Sequence, residues 1–165
     1  MSDFAPAYHP HNHHQCVERA MHDARALCQA AGVRLTPIRE QVLRLIWQSH
    51  RPLGAYDLLA ELGHDGRPAA PPTVYRALDF LQAQGLVHRI ASLNAFIGCP
   101  HPGESHAGVF LICTGCRNVL ELPLSQIGTA IETASQSEGF RVDQLTIEVS
   151  GLCPACQADE ARRHV

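Results

Sequence analysis

The apolar positions of this chain change their spacing near the middle. Up to about residue 84 they recur at helical intervals; beyond it, short apolar runs alternate with turn residues. Cys16 to Ala31 reads as a first helix, stopped by Gly32. Thr36-Pro37 opens a second: Thr36 can cap it, and Pro37 fits a first turn where its missing N–H has no partner anyway. Val42, Leu45, Ile46 and Ser49 share one face of that helix, while Arg39 and Arg44 point away. Pro52-Leu53-Gly54 is a turn, and Ala55 to Leu62 a short third helix with Leu58, Leu59 and Leu62 as its buried set. A Gly/Pro/Ala-rich loop, Gly63 to Pro72, leads into a fourth helix, Pro72 to Gln84, stopped by Gly85. Val74, Ala77, Leu78 and Leu81 lie on its inner side; Tyr75, Arg76 and Asp79 lie on the other. Leu86 to Ile90 and Ala95 to Cys99 are short apolar strands joined by Ala-Ser-Leu-Asn, a hairpin.

Beyond Cys99 the pattern is strand-like. Val109 to Cys113 and Asn118 to Leu122 read as strands around a cysteine knuckle. Leu124 to Glu138 reads as an amphipathic helix with Ile127, Ala130, Ile131 and Ala134 on one side. Phe140 to Val149 alternates as a strand, and the residues after the second cysteine pair read as a polar tail. The expected class is α+β. Residues 1–15 form a disordered His-rich tail, 16–91 a winged-helix domain, 92–105 a hinge, 106–157 a small α/β domain and 158–165 a tail. An exposed Tyr-Arg pair on the fourth helix fits a solvated face as well as a recognition helix. A hairpin directly after four helices tips that balance, because helices followed by a hairpin make a winged helix-turn-helix.

Composition narrows the compartment and the partners. The 165 residues allow one domain or two small ones, and a chain of this size gains from a metal or a partner subunit. No apolar run approaches a membrane span, and the N-terminus lacks a charged segment followed by an apolar run, so a cytoplasmic protein without a membrane partner is expected. The net charge of −3 does not advertise a nucleic-acid binder. Residues 1–91, however, carry nine Arg against eight acidic residues, and residues 92–165 four Arg against eight. DNA affinity would therefore come from a local patch.

Seven cysteines in a reducing compartment point to metal ligands or reactive thiols. Cys113 and Cys116, then Cys153 and Cys156, make two Cys-x-x-Cys pairs. Each two-residue spacer lets both sulfurs of a knuckle reach one ion, and two knuckles close a zinc tetrahedron with no open position. Redox dithiols are the alternative; two pairs bracketing one small domain favour zinc. A second, mixed set surrounds the hairpin: His88, Cys99, His106 and Glu121, with His101 and Glu104 close enough to compete. Two neutral imidazoles, a thiolate and a carboxylate neutralise a divalent ion and suit zinc. Cys28, among Ala and Leu, reads as a small buried hydrophobe, and Cys16 has no evident partner. His9, His11, His13 and His14 belong to the disordered tail, with a weak metal-collecting arm as the sharper reading.

Several stretches together resemble the ferric uptake regulator family of metal-dependent repressors, and its zinc-responsive branch most. They are Arg34-Leu-Thr-Pro-Ile-Arg39, Ala55-Tyr-Asp-Leu-Leu59, Pro71-Pro-Thr-Val-Tyr-Arg-Ala-Leu-Asp-Phe-Leu81, Gln84-Gly-Leu-Val-His88, Phe110-Leu-Ile-Cys-Thr-Gly-Cys116 and Gly151-Leu-Cys-Pro-Ala-Cys156. The resemblance implies a winged-helix DNA domain, an α/β dimerisation domain, and a homodimer that binds palindromic double-stranded operators when metal-loaded, with one or two dimers per operator. It implies two Zn2+ per chain: a structural ion on Cys113, Cys116, Cys153 and Cys156, and a regulatory ion on His88, Cys99, His106 and Glu121. It places Tyr56, Tyr75 and Arg76 at DNA, and Thr73, Arg34 and Arg39 complete the expected DNA-binding set. One departure selects the branch. Iron and peroxide sensors carry a His-rich run before the first cysteine pair, whereas here His106 stands alone and the soft thiolate of Cys99 joins the sensor set. Sensing of iron or manganese, or a zinc module without a DNA role, are the rival readings. An enzyme is not expected: His-x-Glu, Pro-Cys-x-x-Cys, HExxH, P-loop and G-x-S-x-G patterns are all missing.

Overall fold

The computed structural model describes residues 7–8, 11–64, 69–103, 108–123 and 125–163. The chain divides into two compact units, Met1–Glu104 and Ser105–Val165.

The first unit is helical with a small hairpin. Helix α1 spans His13–Ala30, α2 Pro37–Trp47, α3 Ala55–His64 and α4 Pro71–Ala83. Strand β1 (Val87–Ile90) and strand β2 (Ala95–Gly98) pair antiparallel around a single 3-10 turn, Ala91–Leu93. Leu53, in the turn before α3, bridges to Phe96 by two backbone hydrogen bonds of 2.8 and 3.0 Å, adding a one-residue third strand to the wing. The spacing of apolar residues explains the packing. Met21 and Ala24 of α1, Leu43 and Ile46 of α2, Leu58 and Leu62 of α3, and Val74, Leu78 and Leu81 of α4 are all buried in one core. Leu59 is only partly buried against it. Gly85 sets the transition from α4 to the wing. At φ +67° it lets its own N–H reach Gln82 O and the Leu86 N–H reach Leu81 O, a glycine cap that frees the chain to enter β1. Thr36 stands at the N-cap of α2 with extended backbone, but its hydroxyl makes no cap bond; Pro37 alone marks that start.

Two boundaries in this unit depart from expectation. α1 begins at His13, so His13 to Gln15 are helical rather than part of a tail. Residues 92–98 belong to the wing, because β2 is hydrogen-bonded to β1 from Ala95 to Gly98.

The second unit is a three-stranded sheet with two helices. Strands β3 (Gly108–Cys113), β4 (Val119–Leu122) and β5 (Thr146–Gly151) lie in the order β4-β3-β5, with β3–β4 antiparallel and β3–β5 parallel. Helix α5 (Ser125–Ser137) provides the crossover that a parallel neighbour requires, and α6 (Pro154–Arg163) follows β5. Central β3 is buried through Val109, Phe110 and Ile112, as a strand paired on both edges should be. The expected strand from Phe140 starts six residues later, at Thr146. Phe140 instead completes the cap of α5: Gly139 sits at φ +68° and the Phe140 N–H reaches Ser135 O at 2.9 Å. An Arg141–Asp143 ion pair at 2.9 Å then holds a loop. Residues 158–163, expected as tail, continue α6. No helix among the described residues is long and apolar enough to cross a membrane.

Candidate metal centre and nucleic-acid face

The register of the sheet builds the cysteine cluster. β3 and β5 run parallel with Cys113 opposite Gly151, so both knuckles leave the sheet at the same end. The Thr114 N–H and hydroxyl both donate to Gly151 O, at 2.8 and 3.1 Å, locking the first knuckle to the end of β5. Arg117 takes a left-handed φ of +62°, turning the chain so that its N–H returns to Cys113 O. The second knuckle enters α6, whose first turn carries Cys156.

The four sulfurs of Cys113, Cys116, Cys153 and Cys156 lie within 4.8 Å of one another. Cys116 Sγ and Cys153 Sγ are 3.8 Å apart. A tetrahedral ion held at about 2.3 Å from each sulfur requires roughly that separation, ~3.8 Å. Two backbone N–H groups point at Cys113 Sγ, from Cys153 at 3.3 Å and from Cys116 at 3.5 Å. Burial opposes ionisation of Cys113, but the backbone N–H groups of Cys153, Cys116 and Gly115 outweigh it and bring the thiol down to about 6. The neighbouring Cys153 and Cys113 side chains push Cys156 the other way, up to about 12. A cluster that accepts one negative charge readily and resists the next is one that a divalent cation completes. Gly115 is required by the same crowding, since a Cβ there would stand 2.8 Å from Cys156 Sγ. The donor set and its geometry fit zinc.

The mixed set is distributed over both units. His88 lies on β1, opposite Ile97, and Cys99 follows β2 with its N–H on Leu86 O at 3.0 Å. Ile97 and Cys99 are two apart, so His88 and Cys99 share a face of the hairpin; a His88 ring nitrogen lies within 4.8 Å of Cys99 Sγ. Cys99 is buried and His88 half-buried. Glu121 stands on β4 of the second unit, opposite Phe110, half-buried. His106 and the competing Glu104 lie outside the described residues. Of the remaining cysteines, Cys28 is 2% exposed and burial pushes its thiol up, as a small core hydrophobe should be; Cys16 is half-buried.

The nucleic-acid candidates separate into two groups. Tyr56 on the first turn of α3 is 80% exposed, and Thr73, Tyr75 and Arg76 stand exposed on α4, opposite its buried Val74, Ala77, Leu78 and Leu81. Arg34, just before α2, is also exposed. Arg39 is engaged: its guanidinium lies 3.6 Å from the centroid of the Phe80 ring and donates to Arg34 O at 2.6 Å. One cluster goes beyond the sequence reading, which singled out His11 and His13 as part of a possible metal-collecting arm but not His50. His50, in the turn after α2, meets His11 and His13, residues 37 or more positions away that only the packing of α1 on α2 brings near.

The model of the Ferric uptake regulator family matches residues 30–150. The chain belongs to the ferric uptake regulator family. Within that family it is 38% identical over 149 residues to the zinc uptake regulation protein of Escherichia coli (strain K12), spanning 90% of this chain and 87% of that protein. Among solved structures it is similar to a zinc uptake regulator complexed with zinc and DNA, at TM-score 0.83 and 38% identity, covering 88% of this chain and 97% of that one. It is also similar to holo XcZur, at TM-score 0.77 and 43% identity, covering 84% and 96%.

Proposed function

We propose that this family member is a zinc-responsive DNA-binding repressor of zinc-uptake and homeostasis genes, acting in the cytoplasm as a homodimer on palindromic operators. The observation that carries the reading is the likeness, over 88% of the chain, to a regulator solved with zinc and DNA. The fold supplies what such a protein needs. α4 offers Thr73, Tyr75 and Arg76 on its outer face: Arg for a guanine edge or a phosphate, Tyr and Thr for phosphates or a thymine methyl. Tyr56 and Arg34 are exposed for backbone contacts in the same unit. The second unit supplies a dimer surface. Ile127, Phe140 and Val149 are 47, 64 and 44% exposed, and β5 is an edge strand with an unpaired side among the described residues.

Two zinc ions per chain follow from the donor sets. Cys113, Cys116, Cys153 and Cys156 hold a closed structural ion. His88, Cys99, His106 and Glu121 are the regulatory set. Bound there, zinc would be held by two imidazoles, a thiolate and a carboxylate, a four-coordinate set. Cys99 gives the set its soft donor and its preference for zinc over iron or manganese. His88 and Cys99 tie the ion to the wing that follows the recognition helix, so zinc occupancy would set how rigidly the recognition helices of a dimer are held for half-sites one helical turn apart. Zinc and operator then tighten each other's binding reciprocally, with a coupling of about 1–3 kcal/mol, roughly 5–150-fold.

The direct test is fluorescence anisotropy on a palindromic AT-rich operator with free zinc buffered and stepped, and iron(II) and manganese(II) as controls. Binding that appears with zinc alone supports the reading; binding switched on by iron or manganese moves the chain to another branch. Cys99→Ser should abolish the zinc dependence while leaving the cysteine-cluster ion in place. Full zinc-dependent binding by that variant would remove Cys99 from the sensor.

A further inference from the structure

Three histidines of the first unit form a cluster that shares no residue with either cysteine-containing set. His11 precedes α1, His13 is its first residue, and His50 lies three residues past the end of α2. His50 Nε2 is 2.9 Å from His11 Nε2. The ring centroids are 4.9 Å apart for His11–His50, 4.6 Å for His13–His50 and 5.6 Å for His11–His13, with interplanar angles of 55–76°, so the rings are not stacked on one another. One ring nitrogen from each lies within 4.8 Å of the others. Neither ring nitrogen of His13 has a hydrogen-bond partner among the described residues, although both are buried.

Such an arrangement is poorly served by imidazoles alone. Two neutral rings can share one N–H between them, as His11 and His50 do, but a third nitrogen directed at the same point has no donor to accept from. Protonating a ring supplies a donor at the cost of placing a cation beside two neighbours in a half-buried pocket. A neutral imidazole carries one lone pair on its unprotonated ring nitrogen, free to face a neighbour or an ion. With the shared proton moved to an outer ring nitrogen, three lone pairs converge on one point, and an electrophile satisfies them all. A tetrahedral ion at about 2.0–2.1 Å from each nitrogen needs nitrogens roughly 3.3–3.4 Å apart. The spacings found here, from 2.9 to at most 4.8 Å, reach that by small χ rotations.

We propose that His11, His13 and His50 form a third metal site, a three-imidazole site for a divalent transition ion of the zinc type, fastening the start of α1 to the turn after α2. Imidazole-only coordination selects zinc, copper or nickel over magnesium, calcium or manganese, which prefer oxygen. The site keeps one position for water and no thiolate neutralises the ion, so it fills after the two cysteine-containing sets. α1 contributes Val17, Ala20, Met21 and Ala24 to the core shared with α2, and a clamp at its first turn resists fraying from that end.

The experiment is a metal count on the full-length protein. Wild type, His50→Ala and His11→Ala are equilibrated with excess zinc, dialysed against a weak zinc buffer and assayed for zinc per chain. Wild type should hold one ion more than either variant, and only wild type should gain melting temperature as that last equivalent binds. In a cobalt(II) titration the extra equivalent should add d–d bands without thiolate charge transfer. Equal metal content in wild type and either variant would overturn the site, and so would thiolate charge transfer accompanying the last equivalent. His11 is half-buried next to the helix start, so its variant tests the site even if His50→Ala folds poorly. None of these readouts depends on operator binding.

Discussion

The two units solve the same stability problem differently. The first buries a contiguous set of apolar side chains from four helices, with Met21, Leu43, Ile46, Leu58, Leu62, Leu78 and Leu81 fully enclosed. Among its described residues the second buries few apolar side chains beyond Val109, Phe110, Ile112 and Val119, and leaves Ile127, Phe140 and Val149 in the open. Two of its other enclosed residues are Cys113 and Cys153 of the four-sulfur cluster. A unit of 61 residues gains only marginal stability from apolar burial. On the proposed reading, metal and a partner surface make up the difference, so the second unit would depend on its surroundings where the first depends on its own packing.

Removing the metal should break this contrast most sharply. Cys113→Ser deletes the sulfur on which two backbone N–H groups converge, and with it the closed site. The linked folding free energy is on the order of 10 kcal/mol at neutral pH. Zinc content should fall by one ion, and hydrogen exchange should show residues 108–163 losing protection while α1 to α4 keep theirs. Uniform loss across both units would mean that the first unit also leans on the metal. The converse change is Leu43→Ala, a cavity in the helical core costing about 2–5 kcal/mol. Urea denaturation should show the first unit destabilised with the zinc of the cysteine cluster retained.

The same contrast governs how much could be read from the sequence. The helices of the first unit were legible because their stability is written in apolar spacing, and Val74, Ala77, Leu78 and Leu81 against Thr73, Tyr75 and Arg76 is such a pattern. The cysteine cluster was legible because the Cys-x-x-Cys spacer is itself the coordination geometry. Strand β5 was misplaced at its start because alternation in Phe140 to Leu145 does not reveal that Gly139 diverts the Phe140 N–H into a helix cap. α6 was missed because its apolar content is too low to show a stripe, and its start is set by Pro154 and the knuckle. His50 was invisible as a partner of His11 and His13, since no local pattern links residues that only tertiary packing brings together.

Two arginines carry the comparison to the proposed DNA face of the first unit. Arg76 stands exposed on the outer face of α4. Arg76→Ala should weaken operator binding by about 1–3 kcal/mol, measured as anisotropy at fixed salt, with zinc content and melting temperature unchanged. Lost zinc or lost stability would move Arg76 off the reading face.

Arg39 is the finer case, because its sequence position points to DNA while its guanidinium lies on the Phe80 ring, 3.6 Å from the centroid, and donates to Arg34 O. A planar cation stacked on an aromatic ring is worth about 0.5–1 kcal/mol at a partly exposed site. A lysine at that position keeps the charge but not the planar fork. The two roles therefore separate under Arg39→Lys. If Arg39 braces α2 against α4, Arg39→Lys and Arg39→Ala should both lower stability by about 0.5–1 kcal/mol, and the salt dependence of operator binding should stay that of wild type. If it neutralises a phosphate, Arg39→Lys should bind DNA nearly as wild type, and only Arg39→Ala should flatten the salt slope, by about one contact. The stacking geometry favours the brace, so equal stability losses in the two variants with an unchanged salt slope are the expected result.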